Sequence, residues 1–213
     1  MELNRVGNHV TFEKQIDILL SQEDAEVIYF AEDDYFYLPA QFSILVKFLN
    51  SRPDVHFVSP YDHPDCFRME LHRGTTSLAM CEGHYWSSAA SACLTFLTTQ
   101  ATLQKTQHIF RTYAQGNHDS VVVAQPEQTS SFQRFEILAL CGQQRDRPQA
   151  SIMARAWLHG WRQILFGRRW SLWMPIPGIA THLDAGAIPT SIDWLSTITR
   201  EVEALRAPTF QNE

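Results

Sequence analysis

The sequence predicts a layered α/β fold. Three observations carry that expectation. The run Val27-Ile28-Tyr29-Phe30 is a short apolar strand that ends in three consecutive acids, Glu32-Asp33-Asp34. Apolar residues recur at helical spacing on both sides of it. The order along the chain is helix, strand, helix, strand, which is the pattern of layered α/β domains.

Taken in order, Phe12, Ile16, Leu19 and Leu20 lie on one helical face, with Asn8 or Thr11 available as N-cap. The strand at 27–30 follows and is expected to be central in the sheet. Pro39 suits the first turn of a second helix, whose inner face carries Phe42, Leu45, Val46 and Leu49. Asp54-Val55-His56-Phe57-Val58-Ser59 reads as another strand, closed by Pro60. Residues 61–74 are polar and turn-rich, and a strand is expected through 76–80. Residues 99–113 form a helix with Leu103, Ile109 and Phe110 inward, broken at Gly116-Asn117. Ile192, Leu195, Ile198, Val202 and Leu205 mark an amphipathic terminal helix.

A chain of 213 residues with 45% hydrophobic and 12% aromatic residues can bury a substantial core in one domain. The formal charge of -6 argues against a general nucleic-acid binder, which needs excess Lys and Arg to neutralise phosphates. Cys66, Cys81, Cys93 and Cys141 form no CxxC pair, so free thiols in a reducing compartment are expected. Residues 1–9 are polar and carry no secretory h-region, and no apolar run is long enough to cross a bilayer. The expected location is cytoplasmic.

The acids are the chemical centre of the sequence. Three carboxylates cannot be buried unpaired. Where a parallel strand ends, such acids point into the crevice in which α/β sheets bind ligands. Their hard oxygens suit Mg²⁺ or Mn²⁺ and, through the cation, a diphosphate. An acidic, solvated turn is the competing reading. Far downstream, Pro175-Ile176-Pro177-Gly178-Ile179-Ala180-Thr181-His182 reads as a stiff turn that delivers one histidine.

Glu32-Asp33-Asp34, Glu82-Gly83-His84-Tyr85-Trp86, Asn117-His118-Asp119-Ser120 and Thr181-His182-Leu183-Asp184, in this order, resemble a glycosyltransferase of the GT-A fold in its family 2-like branch. The resemblance covers residues 7–194 and leaves out the family's amino-terminal nucleotide-binding half. It implies a GT-A-like, Rossmann-like mixed sheet, truncated at its amino-terminal side. Within 1–213, residues 1–125 would form the sheet core, 126–190 an acceptor-side lid region and 191–213 a terminal helix.

By this resemblance Asp34 is a direct metal ligand and His182 the C-terminal one. Glu32 or Asp33 orients the ribose or a metal-bound water. Asp119 is the catalytic base that takes the acceptor hydroxyl's proton; as an alternative it is only an N-cap. His84, Tyr85 and Trp86 lie between donor and acceptor, with Glu82 on a sugar hydroxyl, unless Trp86 simply fills the core. The implied activity is inverting, metal-dependent transfer from a nucleotide-sugar donor to a hydroxyl acceptor. A non-catalytic, binding relative and a Mg²⁺-dependent phosphohydrolase are the alternatives.

Two further segments bear on this. Asp62-His63-Pro64-Asp65-Cys66 reads as an ordered loop near the donor site. Residues 155–173 interleave Arg155, Arg162, Arg168 and Arg169 with Trp157, Trp161, Phe166, Trp170 and Trp173. That stretch is either a peripheral membrane contact, a diphosphate-binding cover, or core aromatics with solvated arginines.

Overall fold

The computed structural model describes residues 7–39, 42–68, 77–89, 93–115, 147–168 and 170–206. Its helices are α1 (Asn8–Leu20), α2 (Phe42–Ser51), α3 (Asp65–Arg68), α4 (Gln100–Ala114), α5 (Arg147–Phe166) and α6 (Trp194–Arg206). Its strands are β1 (Val27–Phe30), β2 (Tyr35–Tyr37), β3 (Phe57–Val58), β4 (Leu78–Cys81), β5 (His84–Ala89), β6 (Phe96–Thr99), β7 (Leu172–Ile176) and β8 (Ala180–His182). Six strands form one mixed sheet in the order β1-β6-β3-β7-β5-β4, and β2 pairs with β8 separately.

Strand alternation divides the core into two layers. Ile28, Phe30, Phe57 and Phe96 face one side, where α1 supplies Phe12 and Ile16 and α4 supplies Leu103, Ile109 and Phe110. Val58, Leu97 and Trp173 face the other, under Leu45, Phe48 and Leu49 of α2. A mixed α/β sheet flanked by helices is therefore present. Helix α4 is started by Thr99, whose hydroxyl accepts a hydrogen bond from the Thr102 N–H at 3.1 Å. At α1 the N-cap is Gly7 with no side-chain cap, so neither Asn8 nor Thr11 serves.

Strand β1 is not central: it lies at the sheet edge and pairs only with β6, antiparallel. The Gln100 N–H donates to the Glu26 carbonyl, which makes Ile28 and Phe30 the inward hydrogen-bonding residues of the ladder. The peptide groups of Val27 and Tyr29 consequently face the outer edge, where no strand pairs among the described residues. Strands β3 and β7 are parallel to each other. Pro175 is tolerated inside β7 because its nitrogen faces the β3 side beyond the point where β3 ends at Val58.

The hairpin β4–β5 turns on Glu82 and Gly83, both at positive φ (51° and 78°), as a two-residue connection requires. Cys66, Cys81 and Cys93 are free thiols. No helix among the described residues is long and apolar enough to cross a membrane.

Candidate metal and donor site

The carboxyl ends of β1, β3 and β7 lie at the same end of the sheet, as their pairing registers require. Glu32, Asp33 and Asp34 leave β1 there. The chain then turns at once into β2, which pairs with β8 in the register Tyr35↔His182, Phe36↔Thr181, Tyr37↔Ala180. This short ladder brings two segments that are distant in sequence side by side. The Leu183 N–H closes it by donating to the Asp34 carbonyl at 2.9 Å.

In consequence His182 Nε2 stands 3.1 Å from Asp34 Oδ2. The two side chains are in direct contact. Asp34 is 54% and His182 25% exposed, so a ligand can reach the pair from solvent. The Asp184 N–H donates to His182 Nδ1 at 2.9 Å. Nδ1 therefore holds no proton, and Nε2 carries the ring N–H and donates it to Asp34. Tyr35 supports the ring edge-on at 4.9 Å and packs on Tyr61 at 5.2 Å, whose hydroxyl donates to the Ala187 carbonyl. Burial pushes the phenols of Tyr35 and Tyr61 well above the ordinary tyrosine value, so both remain neutral supports.

On the α1 side of the acids lies an open cleft of about 320 Å³, lined by Thr11, Phe12, Gln15, Ala31, Glu32, Asp33, Asp34 and Leu94. Asp34 thus stands between the cleft and His182. Glu32 is held by its backbone: its N–H donates to Thr95 Oγ1 at 3.4 Å, and the Tyr37 hydroxyl donates to its carbonyl at 3.1 Å.

The pair fits a divalent cation in one respect and must adjust in another. Two ligands at right angles on one cation, each at about 2.1–2.2 Å, lie about 3 Å apart, which is the separation present here. A cation at Nε2 must move the ring proton to Nδ1 and break the Asp184 bond, a cost of about 1 kcal/mol. No cluster of three or more His, Cys, Asp or Glu suited to a metal occurs among the described residues. Water and the ligand's own oxygens would supply the remaining coordination.

The other sequence candidates are placed elsewhere. Four strand spacings, roughly 19 Å, separate β1 from β5 across the sheet. Glu82, at the tip of the β4–β5 hairpin, pairs with Lys47 of α2 at 2.9 Å. Tyr85 is exposed at the sheet's far side. Trp86 is fully buried and stacks on Phe48 at 3.8 Å with an interplanar angle of 3°. Trp86 thus fills the core, which was the alternative reading for it, and Glu82, His84 and Tyr85 lie across the sheet from the Asp34–His182 pair. An indole packs against α2 there, which buries far more apolar surface than an open sugar face would. Asp119 lies outside the described residues.

Sequence reasoning missed Tyr35, Tyr61 and the true place of Asp62. The signal for β2 was the triplet Tyr35-Phe36-Tyr37, whose aromatic residues favour a strand. Asp62 is fully buried where the 177–179 turn crosses the end of β3. Gly178 is required at that crossing, because a Cβ on it would overlap Asp62 Oδ1. Burial raises the Asp62 carboxyl above its ordinary value, opposed in part by the Ser191 hydroxyl and the Gly178 N–H, neither of which reaches full hydrogen-bond geometry.

A raised carboxyl binds its proton more tightly in the folded chain than in the unfolded one. Its stabilisation is complete below the ordinary carboxylate value, about 4, and is lost as pH rises through the folded value. Asp62→Asn, which mimics the neutral acid, should therefore melt higher than the parent at pH 8, by on the order of 1 kcal/mol, and show no gain at pH 4. Calorimetry at the two pH values checks this; a variant destabilised at both would show the carboxylate to be well satisfied.

Comparison of the chain with protein-family models, with curated proteins and with solved structures finds no match.

Proposed function

We propose that this chain is a metal-dependent, inverting glycosyltransferase of the GT-A type, which takes a sugar from a nucleotide donor and passes it to a hydroxyl acceptor. The observation that carries the reading is the Asp34–His182 pair, set at the carboxyl end of β1 beside a cleft lined by Glu32 and Asp33. A stretch of acids alone is commonplace. An acid and a distant histidine held at cation-ligand spacing by a dedicated ladder is a much narrower arrangement.

Asp34 and His182 would hold Mn²⁺ or Mg²⁺, which would supply the positive charge needed to stabilise a leaving diphosphate. The chain's own groups do the rest. Glu32 and Asp33 line the cleft where donor hydroxyls would be oriented. Tyr35 supports the His182 ring edge-on, and Tyr61 supports Tyr35. In an inverting transfer the bond from the sugar's C1 to phosphate breaks as the acceptor oxygen bonds to C1. The acceptor's proton goes to a carboxylate, a role that the resemblance gives to Asp119.

The test is a panel of nucleotide sugars incubated with the chain and Mn²⁺, with nucleotide release as readout. Metal-dependent release from one donor, abolished by chelator, supports the reading; saturable binding with no release at any donor defeats it. That second result would favour a non-catalytic binding subunit, a reading supported by the unpaired outer edge of β1 at Val27 and Tyr29.

A further inference from the structure

Helix α5 carries an apolar face that nothing among the described residues covers. Leu158 is 73%, Trp161 44%, Leu165 40% and Phe166 80% exposed. At 100° per residue these side chains, with Arg155 and Arg162, occupy one arc of about 140°. Gly160 on the opposite side is buried, and Trp157 and Gln163 are half-buried. Of the three readings left open for this stretch, core aromatics describes Trp170 and Trp173, which are buried, and does not describe Trp161 and Phe166.

The charge on this face is as informative as its hydrophobicity. Residues 147–183 contain five arginines and no acid, in a chain of net charge -6. Arg162 lies over the Trp161 ring at 5.3 Å, so a cation and an aromatic edge are presented together. Beside them a cleft of about 320 Å³ opens between α4 and α5, lined among others by Ile109, Trp161, Arg162 and Phe166. Helix α6 makes a useful contrast. Its Leu195 and Leu205 are equally exposed, but Glu201 and Glu203 share that helix and would be repelled by an anionic surface.

We propose that the outer face of α5 docks on an anionic lipid bilayer, with Leu158, Trp161, Leu165 and Phe166 in the headgroup–acyl boundary and Arg162 on lipid phosphates. Exposed Trp, Leu and Phe beside Arg, with no acid in residues 147–183, is the chemistry of an interfacial helix that lies in the membrane plane without crossing it. Charge complementarity selects an anionic surface over a neutral one. The proposal is independent of the Asp34–His182 site and goes beyond it.

The test is co-sedimentation of the full chain with vesicles of phosphatidylcholine alone and of equimolar phosphatidylcholine and phosphatidylglycerol. Partition to the anionic vesicles only, weakened when salt is raised to about 0.5 M, is expected. Leu158→Glu with Phe166→Glu should lower partition at least about tenfold. Arg162→Gln should lower it by about fivefold. Should the double glutamate variant melt below the parent, Phe166→Ser alone carries the comparison. The proposal is overturned by wild type remaining in the supernatant with both vesicles, by equal partition to both, or by unchanged partition of the variants. It is also overturned if the chain is a dimer in solution that the glutamates convert to monomer, since the face would then be a contact between two copies.

Discussion

Trp86→Ala is expected to be the most damaging single substitution in the described part of the chain, costing about 3–5 kcal/mol. The indole is fully buried, stacked on Phe48 and packed among Leu45, Leu49, Val58 and Trp173, so its removal leaves a cavity between α2 and the sheet. Against a total stability of about 5–15 kcal/mol, that loss lowers the melting temperature by roughly 6–20 °C. Thermal melting by circular dichroism measures it. A sugar-binding Trp86 would behave otherwise, with the melt unchanged and the apparent KM for acceptor raised.

Asp34→Asn should do the reverse. The amide keeps the volume and can still accept the His182 N–H, and a half-exposed hydrogen bond is worth about 1 kcal/mol or less, so the melt should hardly move. Divalent-cation affinity should fall by at least about 10²-fold, because a neutral amide oxygen is a poor substitute for a carboxylate on a hard cation. Metal-dependent nucleotide release should fall about 10²–10³-fold with it, since the leaving diphosphate loses its counter-charge. Rates at saturating Mn²⁺ separate the two effects. Release unchanged from wild type would show that the cation, if one acts, sits elsewhere.

The helices were legible because their apolar residues repeat at helical spacing: Phe12 and Ile16 in α1, Leu45 and Leu49 in α2, Leu103 and Phe110 in α4 all reach the core. Periodicity shows which face is apolar but not whether anything covers it. The stripe of α6 read only as amphipathic, and of that helix Trp194 alone is buried. Strand order was hidden for a related reason. Val27–Phe30 is buried on one face by α1 and α4 and half-buried on the other by α2, so its composition matches that of a central strand although it is an edge. Strand β6 was not anticipated, because Phe96–Thr99 runs directly into the helix that starts at Gln100. Nor was β5, whose turn Glu82-Gly83 was a readable hairpin signal.

For the site, the two ends of the Asp34–His182 pair could be named from chemistry, since carboxylate and imidazole suit the same cations. Their meeting depends on the β2–β8 ladder, and no local pattern encodes which short strand pairs with which. The proton on His182 Nε2 depends on one backbone N–H two residues later, which is a matter of turn geometry and beyond any motif.

The most direct test of the central claim is a Mn²⁺ titration of the wild-type chain and its His182→Ala variant, followed by the electron paramagnetic resonance signal of free Mn²⁺. The account predicts one bound Mn²⁺ per wild-type chain and binding weaker by about tenfold or more once the imidazole is gone. Equal Mn²⁺ binding by the two proteins, or none by wild type at millimolar cation, would contradict it.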